Sequence, residues 1–412
     1  GGAAGPLARG HERVMTIGRH RRGHGGAPSL DLDLYADDVL KDSRAAFSRV
    51  REAGPAVWLP RHGLYAVGRF DDVRAALRDD AVFLSGDGVA ANPVANRLGR
   101  HTTLSSDGDT HTVRRRVLMR SLGAKAIAAI EPALQDEATD VVRDLTGTTQ
   151  FEAGRDFSAR LPVRVVSELV GIRGGSERLL RWAAATFDGL GPVNRRSIRS
   201  TPRAMGLWMY TQRLKPGAVA RGSWAASVFD AQRAGGLSEA EARALIIDFV
   251  APSLDTTILA TNHLLAMLAA NPDAWAAIRE DPNLVNAAVV ENVRLASPIR
   301  GFTRRLARDH EIDGVPLPKG ARVALLYGAA NLDETRFPEP GRFDLGRPSG
   351  AHLGWGNGPH TCVGIHLAKL EMRTLLQAML PEVERIVAGP ARRLRNNTLQ
   401  GITHMPARLL RV

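Results

Sequence analysis

Apolar positions with helical spacing dominate the middle of the chain. From about residue 124 to residue 300 they recur every three or four residues with few breaks, which predicts an almost uninterrupted series of helices. Short strand-like runs precede this region at 56–59 and 64–67, and further strands, with turn signals such as Asp313-Gly314, are expected over 303–326. The pattern predicts a mainly α fold with a smaller β region.

The longest predicted helix opens at Ser238, where Glu241 three residues later completes a capping box, and it runs to Asn271. Its roughly 33 residues span about 50 Å, enough to cross the whole molecule. Pro252 lies inside this helix and removes a backbone hydrogen bond. We therefore expect the helix to open at Pro252, either as a simple kink or to expose the backbone and Thr256 to a ligand.

Residues 29–412 contain no internal repeat and no Gly/Ser-rich linker, so we expect them to form one large domain. Residues 1–28 are rich in Gly, Arg and His and are expected to be a disordered tail. They lack the apolar core of a secretory signal, and no run of 18 apolar residues occurs in the chain. The sequence predicts a cytoplasmic monomer that does not cross a membrane.

The formal net charge of +12 raises the question of nucleic-acid binding. The arginines are scattered over nearly every segment, however, and aromatic residues make up only 5% of the chain, too few for a surface on which bases could stack. An acidic protein partner therefore explains the charge better than a nucleic acid does.

A single cysteine, Cys362, is present among 412 residues, in the segment WGNGPHTCVG at 355–364. A lone cysteine is most often an inert buried residue, but the glycines and the histidine at fixed offsets from this one make that interpretation less favourable. Gly356 and Gly358 allow a tight turn. Because a helical pattern follows at 363–379, we expect the sulfur at a helix N-terminus, where a thiolate is stabilised.

Such a thiolate could be a nucleophile or a metal ligand. A zinc site needs several more Cys or His ligands at short spacings, and the neighbourhood of Cys362 lacks them. An axial thiolate on a haem iron needs no other protein ligand.

The segment around Cys362 resembles the haem-binding loop of the cytochrome P450 superfamily, aromatic-Gly-x-Gly-x-His/Arg-x-Cys-x-Gly, with Trp355 where Phe is usual. The resemblance covers residues 29–412. It implies the cytochrome P450 fold, a triangular, helix-rich single domain with a long central helix over the haem, and haem b (iron protoporphyrin IX) as the cofactor, with Cys362 as the iron ligand. The residues implied to surround the cofactor in this loop are Trp355, Gly356, His360 and Gly364.

Asp255-Thr256, within the longest helix, resembles the acid and alcohol of the family's central helix, which deliver protons for the cleavage of dioxygen. That cleavage consumes two protons in a dry pocket, and a carboxyl–hydroxyl pair can relay them without flooding it. Pro252 and Ser253 stand where smaller residues are usual. The groove that binds oxygen is therefore expected to differ in detail.

His111 and Arg115 lie one helical turn apart and resemble the family's His-x-x-x-Arg pair, which binds the haem propionates. Arg304 and His360 are implied as further propionate partners. Without the resemblance, His111 and Arg115 fit a solvated basic face equally well.

Glu291 and Arg294 resemble the family's structural Glu-x-x-Arg pair, and Arg342 is the implied third member. Alone, the spacing is a weak signal because such ion pairs are common on solvated helices. We expect these residues to be structural and not catalytic.

An electron-transfer partner is implied as well. A ferredoxin-type iron–sulfur protein, acidic in charge, would dock on a basic face beside the cysteine. The residues expected on this face are Arg114, Arg116, Arg120, Lys369 and Arg373. No Gly-x-Gly-x-x-Gly fingerprint follows a strand, so no flavin or nicotinamide domain is expected within the chain.

Segments 186–192, 251–257 and 297–304 are similar to bacterial family members that oxidise small para-substituted or methoxylated aromatics, often by O-demethylation. Apolar walls suit such a flat ligand. The expected pocket residues are Phe187, Leu190, Ser253, Ile299 and Phe302. The loop at 85–92 holds an acid and no arginine, which favours a neutral phenolic ether over a benzoate. A larger terpenoid or macrolide is the alternative substrate.

Two other function classes remain open. A non-catalytic haem-binding or sensor protein would share the haem site, although Asp255-Thr256 argues against it. A basic, helical interaction protein would contain no haem, and an absorption spectrum would separate it from the other two.

Overall fold

The computed structural model of the chain describes residues 24–172, 175–348 and 350–412. The α-helices are α1 (Asp37–Lys41), α2 (Arg44–Ala53), α3 (Phe70–Arg78), α4 (Pro93–Gly99), α5 (Gly108–Leu122), α6 (Ala124–Thr146), α7 (Arg160–Arg164), α8 (Ser176–Gly189), α9 (Arg195–Arg213), α10 (Trp224–Arg233), α11 (Glu239–Ala270), α12 (Pro272–Glu280), α13 (Leu284–Ala296), α14 (Tyr327–Ala330) and α15 (Ile365–Met379). π-Helical turns at Ala153–Ser158 and Val165–Leu169 flank α7.

The strands are short and lie mainly outside the helical middle of the chain. They are β1 (Val57–Leu59), β2 (Leu64–Val67), β3 (Phe83–Leu84), β4 (Phe151–Glu152), β5 (Phe302–Leu306), β6 (His310–Ile312), β7 (Val315–Leu317), β8 (Arg322–Leu325), β9 (Val383–Ala388), β10 (Arg392–Arg393), β11 (Ile402–His404) and β12 (Pro406–Arg411). One sheet has five strands in the order β1-β2-β8-β5-β3, and another has the order β4-β12-β9. The predicted mainly α fold with a smaller β region is confirmed.

Helix α11 forms the centre of the helical region. Ser238 caps it, and the Ser238 and Glu241 side chains each accept from the other residue's backbone N–H, as the capping-box pattern predicted. The helix contacts α5, α8, α9, α10, α13 and α15. By length and composition it could cross a membrane, but 61% of its most apolar window is buried inside the protein. Its apolar character is therefore that of a core helix.

Pro252 does not break α11, which corrects the expectation that the helix opens there. The helix continues from Glu239 to Ala270. The Thr256 hydroxyl donates a hydrogen bond of 2.6 Å to the carbonyl oxygen of Pro252 one turn earlier, a bond that a threonine can make without leaving the helix.

The boundary of the predicted N-terminal tail is also corrected. Residues 1–23 lie outside the described residues, but the last part of the predicted 1–28 segment packs onto the first sheet. Ala27 is fully buried, and the Trp58 backbone N–H donates to the Pro28 carbonyl at 2.8 Å. The described structure therefore begins before residue 29.

A buried ion pair joins α13 to the chain that leads towards Cys362. Arg294 donates two hydrogen bonds to Glu291, of 2.7 and 2.8 Å, and further bonds to the carbonyls of Asn331 and Pro340. This bidentate geometry satisfies both buried charges.

Arg347, and not Arg342, is the third member of this cluster. The Arg347 Nε lies 3.2 Å from Glu291 Oε1, and the two side chains are only 10% and 4% exposed, respectively. Arg342 is exposed and instead pairs with Glu339, while its carbonyl accepts from Arg294. The prediction of Arg342 is therefore wrong, because the chain turn after Pro340 directs a later arginine to Glu291.

Candidate active site

The Cys362 loop and α11 line one large cavity from opposite sides. The cavity holds about 1360 Å³ of empty space, part of it open to solvent. Its lining includes Cys362 on one side, Thr256 on the other and Phe302 at the edge of the sheet.

The glycines of the Cys362 loop are required by its shape. Gly356 and Gly358 have φ of +70° and +69°, a region that favours glycine. A Cβ on Gly358 would lie only 2.5 Å from the carbonyl oxygen of Leu77. The tight turn that the sequence predicted is confirmed, and the loop packs directly against α3.

Helix α15 begins at Ile365, three residues after the cysteine, so the helix N-terminus acts on Cys362 less than expected. Burial raises the pKa of the Cys362 thiol, while the Gly364 backbone N–H and the charge of Arg115 act in the opposite direction. A thiol whose pKa is raised is a poor nucleophile at neutral pH. A bound metal ion deprotonates a coordinating thiol outright, so Cys362 can still act as a metal ligand in this environment.

Cationic and imidazole groups gather at one side of the cavity. His111 and Arg115 come from α5, Arg304 comes from β5, and His360 comes from the cysteine loop, and all four line the cavity. The rings of His111 and His360 are 4.1 Å apart. Arg115 donates to the Thr361 carbonyl at 2.8 Å, and Arg304 donates to the Thr303 carbonyl at 2.9 Å. This side of the cavity suits an anionic group.

His111 is uncharged in this setting. Burial, together with the nearby His360 and Arg115, lowers its pKa to about 4. At neutral pH it is therefore a neutral hydrogen-bond donor, and Arg115 and Arg304 provide the positive charge on this side.

The opposite side of the cavity is mainly apolar. Phe187, Ile299 and Phe302 line it together with Ser253 and Thr256 of α11. Leu190, by contrast, does not line the cavity and packs beside Phe187 in a small apolar cluster. The prediction of Leu190 as a wall residue is therefore wrong, because it follows the end of α8 and lies behind the wall.

Comparison with known proteins decides the family. A family model, cytochrome P450, matches residues 223–389. Cytochrome p450 CYP199A2 of Rhodopseudomonas palustris is 32% identical over 397 residues, which are 94% of this chain and 96% of that relative. The chain belongs to the cytochrome P450 family.

Other relatives agree with this assignment. Linalool 8-monooxygenase of Pseudomonas putida is 27% identical over 407 residues, 90% of this chain and 96% of that protein. The crystal structure of P450BioI in complex with hexadec-9Z-enoic acid ligated acyl carrier protein has the same fold, with a TM-score of 0.82, 21% identity and coverage of 90% of this chain and 99% of that chain. This P450 is a monooxygenase with haem b as its cofactor.

The cavity of this P450 fits the haem. Trp355 Nε1 is buried and has no hydrogen-bond partner among the described residues, and His360 Nε2 has only Asp107 nearby, at 3.6 Å. Both residues line the cavity, and buried donors of this kind are rarely left unpaired, so a cofactor with acceptor atoms would complete them. The sulfur of Cys362 and the charges of Arg115 and Arg304 complete a donor set that suits a haem.

Asp255 and Thr256 are neighbours on α11 but line different cavities. Thr256 lines the haem cavity, whereas Asp255 lines a second cavity with residues such as Arg155, Arg160 and Leu259. The Asp255 Oδ2 is buried without a partner among the described residues. Burial raises the pKa of Asp255 to about 8, so this carboxyl is largely protonated at neutral pH.

An Asp255→Asn variant is expected to be more stable than the wild type as the pH rises. The folded pKa of Asp255, about 8, lies above its ordinary value of 3.8, so unfolding lets the carboxyl ionise and the wild type loses stability between these pH values. Between pH 6 and pH 7.5 the free energy of unfolding of the wild type should fall by about 2 kcal/mol relative to that of Asp255→Asn. Urea denaturation at both pH values measures it, with Asp87→Asn at an exposed carboxyl as the control. Parallel pH profiles for the wild type and Asp255→Asn would contradict the shift.

The sequence interpretation missed several lining residues of the haem cavity. They include Thr103, Leu104, Asp248 and Tyr327. A signal existed for Asp248, since it precedes Pro252 and Thr256 by four and eight residues and so lies on the same helix face. Thr103 and Leu104 lie in an irregular loop, where no periodic pattern marks the side that faces a cavity.

Proposed function

We propose that this P450 oxidises a small methoxylated or para-substituted aromatic, by O-demethylation or hydroxylation. The observation that supports this proposal is the apolar wall of Phe187, Ile299 and Phe302, which lines the same cavity as Cys362. Flat apolar ligands are bound by walls of this kind. Insertion of oxygen at an O-methyl carbon yields a hemiacetal, which separates into a phenol and formaldehyde.

In this proposal the Cys362 thiolate would hold the haem iron, in a loop shaped by Gly356 and Gly358 and followed by Gly364. Arg115 and Arg304 would supply positive charge for the two propionates, and His111, Trp355 and His360 would supply hydrogen-bond donors. Haem, when bound, supplies the activation of dioxygen, of which one atom enters the substrate and the other leaves as water with two electrons and two protons.

Asp255 and Thr256 are proposed to supply those protons. Asp255 holds a proton at neutral pH because its pKa is raised to about 8, and the Thr256 hydroxyl lies in the haem cavity. Their side chains face different cavities, so the Asp255 side chain would have to adopt another rotamer to pass a proton to Thr256. Protons relayed by these two side chains can reach the haem cavity without bulk water entering it.

The described structure favours a substrate without a carboxylate. Asp87, the acid of the 85–92 loop, pairs with Arg305 at 3.5 Å, and Asn92 donates to the carbonyls of Gly189 and Gly191. No residue of this loop is among the described residues that line the haem cavity. A benzoate would therefore find no cation from this loop.

A separate ferredoxin-type protein is proposed as the electron donor. The basic face predicted for it is smaller than expected, since Arg114 is buried and pairs with Glu241 at 3.0 Å, and Arg373 pairs with Glu131. Arg116 and Arg120 are exposed and Lys369 is half-buried. These three residues are the proposed docking charges on a monomeric, cytoplasmic enzyme.

A ligand screen tests the proposed substrate class. Methoxylated aromatics with and without a carboxylate are added to the ferric enzyme, and displacement of iron-bound water is followed as a shift of the Soret band. The dissociation constants obtained from this shift should be at least about tenfold lower for neutral aryl methyl ethers than for the matching benzoates. The reason is that the benzoate carboxylate would be buried unpaired.

Two outcomes would contradict this proposal. Shifts only with larger terpenoid or macrolide ligands would favour the alternative substrate class. Shifts without substrate-dependent electron uptake would favour a haem-binding sensor over an enzyme acting on these ligands.

A further inference from the structure

A second acid of α11, Asp248, lines the haem cavity two turns before Thr256. Its Oδ2 accepts the backbone N–H of Thr103 at 2.7 Å. The Thr103 side chain also interacts with this carboxyl group. The carboxylate therefore anchors the neighbouring loop, and since an ionised carboxylate accepts several hydrogen bonds it keeps the capacity to accept from a ligand.

Thr103 supplies a second polar group at the same place. It is only 6% exposed, and it lines the cavity. The hydroxyl lies beside the Asp248 carboxyl and lowers the pKa of that group as a side-chain donor. A threonine hydroxyl that donates to a carboxylate can still accept a hydrogen bond, so it can accept from a polar ligand group in the cavity.

The turn around Asp248 offers more acceptors than donors. Pro252 has no backbone N–H, so it cannot donate to the Asp248 carbonyl as the fourth residue of a helix normally does. The nearest cation on the neighbouring elements, Arg114, is already paired with Glu241. A ligand that donates hydrogen bonds, and above all a positively charged one, would satisfy this turn.

We infer that Asp248 and Thr103 form a polar subsite that accepts the amino group of a substrate, with a protonated amine as the preferred donor. The inference rests on the proposed function, because it places the amine on the same small aromatic whose other end faces the Cys362 side. An N⁺–H donor pairs with the Asp248 carboxylate, and the Thr103 hydroxyl accepts a second N–H. A carboxylate would be repelled at the same position.

Burial raises the pKa of Asp248 to about 6, against the effect of the Thr103 N–H. The carboxyl is therefore mostly ionised at neutral pH, and an amine bound beside it would favour the ionised form further. An ionised carboxylate is the form that the proposed amine subsite requires. The location of the subsite itself follows from the residues that line the cavity.

The test compares two ligands of equal size in the holoenzyme, 4-methoxybenzylamine and 4-ethylanisole. Dissociation constants come from the Soret shift that accompanies water displacement. The wild type should prefer the amine, and Asp248→Asn should reduce this preference by about tenfold while leaving 4-ethylanisole unchanged. Asparagine still accepts the Thr103 N–H, so the loop anchor is retained and the variant separates charge from structure.

Asp248→Ser is a second variant that also removes the negative charge, since a serine hydroxyl is uncharged and smaller. It should lose the preference for the amine to the same extent. The spectrum of the reduced protein with carbon monoxide checks that both variants hold haem normally. An unchanged amine preference in the folded variants, or no amine preference in the wild type, would overturn the inference.

A second ligand pair keeps this test independent of the substrate class. 1-Phenylimidazole with a para-aminomethyl or a para-ethyl group binds haem iron through the imidazole nitrogen, whatever the natural substrate is. If methoxylated aromatics fail to bind, the proposed function fails, but the amine preference of the imidazole pair and its loss in Asp248→Asn still decide the role of Asp248.

Discussion

Cys362→Ala is expected to lose monooxygenase activity completely. Alanine offers no axial ligand, and the chain has no second cysteine to replace it. The reduced variant with carbon monoxide should therefore lack the long-wavelength Soret band that a trans thiolate produces. The same loss is expected for Cys362→His, whose imidazole can bind iron but supplies no thiolate.

His366→Ala is the matched control for this experiment. His366 is exposed on α15, four residues after the cysteine, and does not line the haem cavity. Its spectrum and activity should equal those of the wild type. A normal long-wavelength band in Cys362→Ala would show that the iron ligand lies elsewhere.

Arg294→Met is expected to cost about 3–5 kcal/mol of unfolding free energy, because it leaves Glu291 charged and buried without its main partner. Arg294 is 1% exposed and Glu291 is 4% exposed, so water cannot replace the lost contacts. The variant should also lose the bonds that Arg294 makes to the carbonyls of Asn331 and Pro340. Urea denaturation and the fraction of protein that retains haem measure both effects.

Two other arginines provide the controls. Arg342→Met removes an exposed ion pair with Glu339 and should cost no more than about 1 kcal/mol. Arg347→Met removes a buried contact to Glu291 and should cost more than Arg342→Met. Equal losses for these two variants would contradict the assignment of Arg347 as the third member of the cluster.

Local sequence was sufficient for the elements and for the loop around Cys362. The capping box at Ser238 predicted the start of α11, because its two hydrogen bonds involve residues only three positions apart. Gly356 and Gly358 predicted a tight turn, because their backbone conformation depends on their own missing side chains. Such features are encoded over a few residues and need no knowledge of the rest of the chain.

Features that depend on distant segments could not be read in this way. Arg114 belongs to a basic run in the sequence, yet it is buried against Glu241, 127 residues away. Leu190 has the expected apolar character, but the position of α8 places it behind the cavity wall. Residue type alone predicts that a side chain is apolar or charged, and not which neighbour it meets.

The sequence by itself determined the helical fold and the cysteine loop, because both depend on short-range periodicity and spacing, and the resemblance of its motifs to those of known proteins indicated the family. Only the tertiary structure decided which groups share a cavity. Adjacent residues on α11 point about 100° apart, so Asp255 and Thr256 face different cavities although they are neighbours in sequence. Asp248, seven residues before Asp255, points within about 20° of it on a regular helix, yet it lines the haem cavity with Thr256. The packing of α5 and of the loop at Thr103 around α11 therefore determines what each side chain reaches.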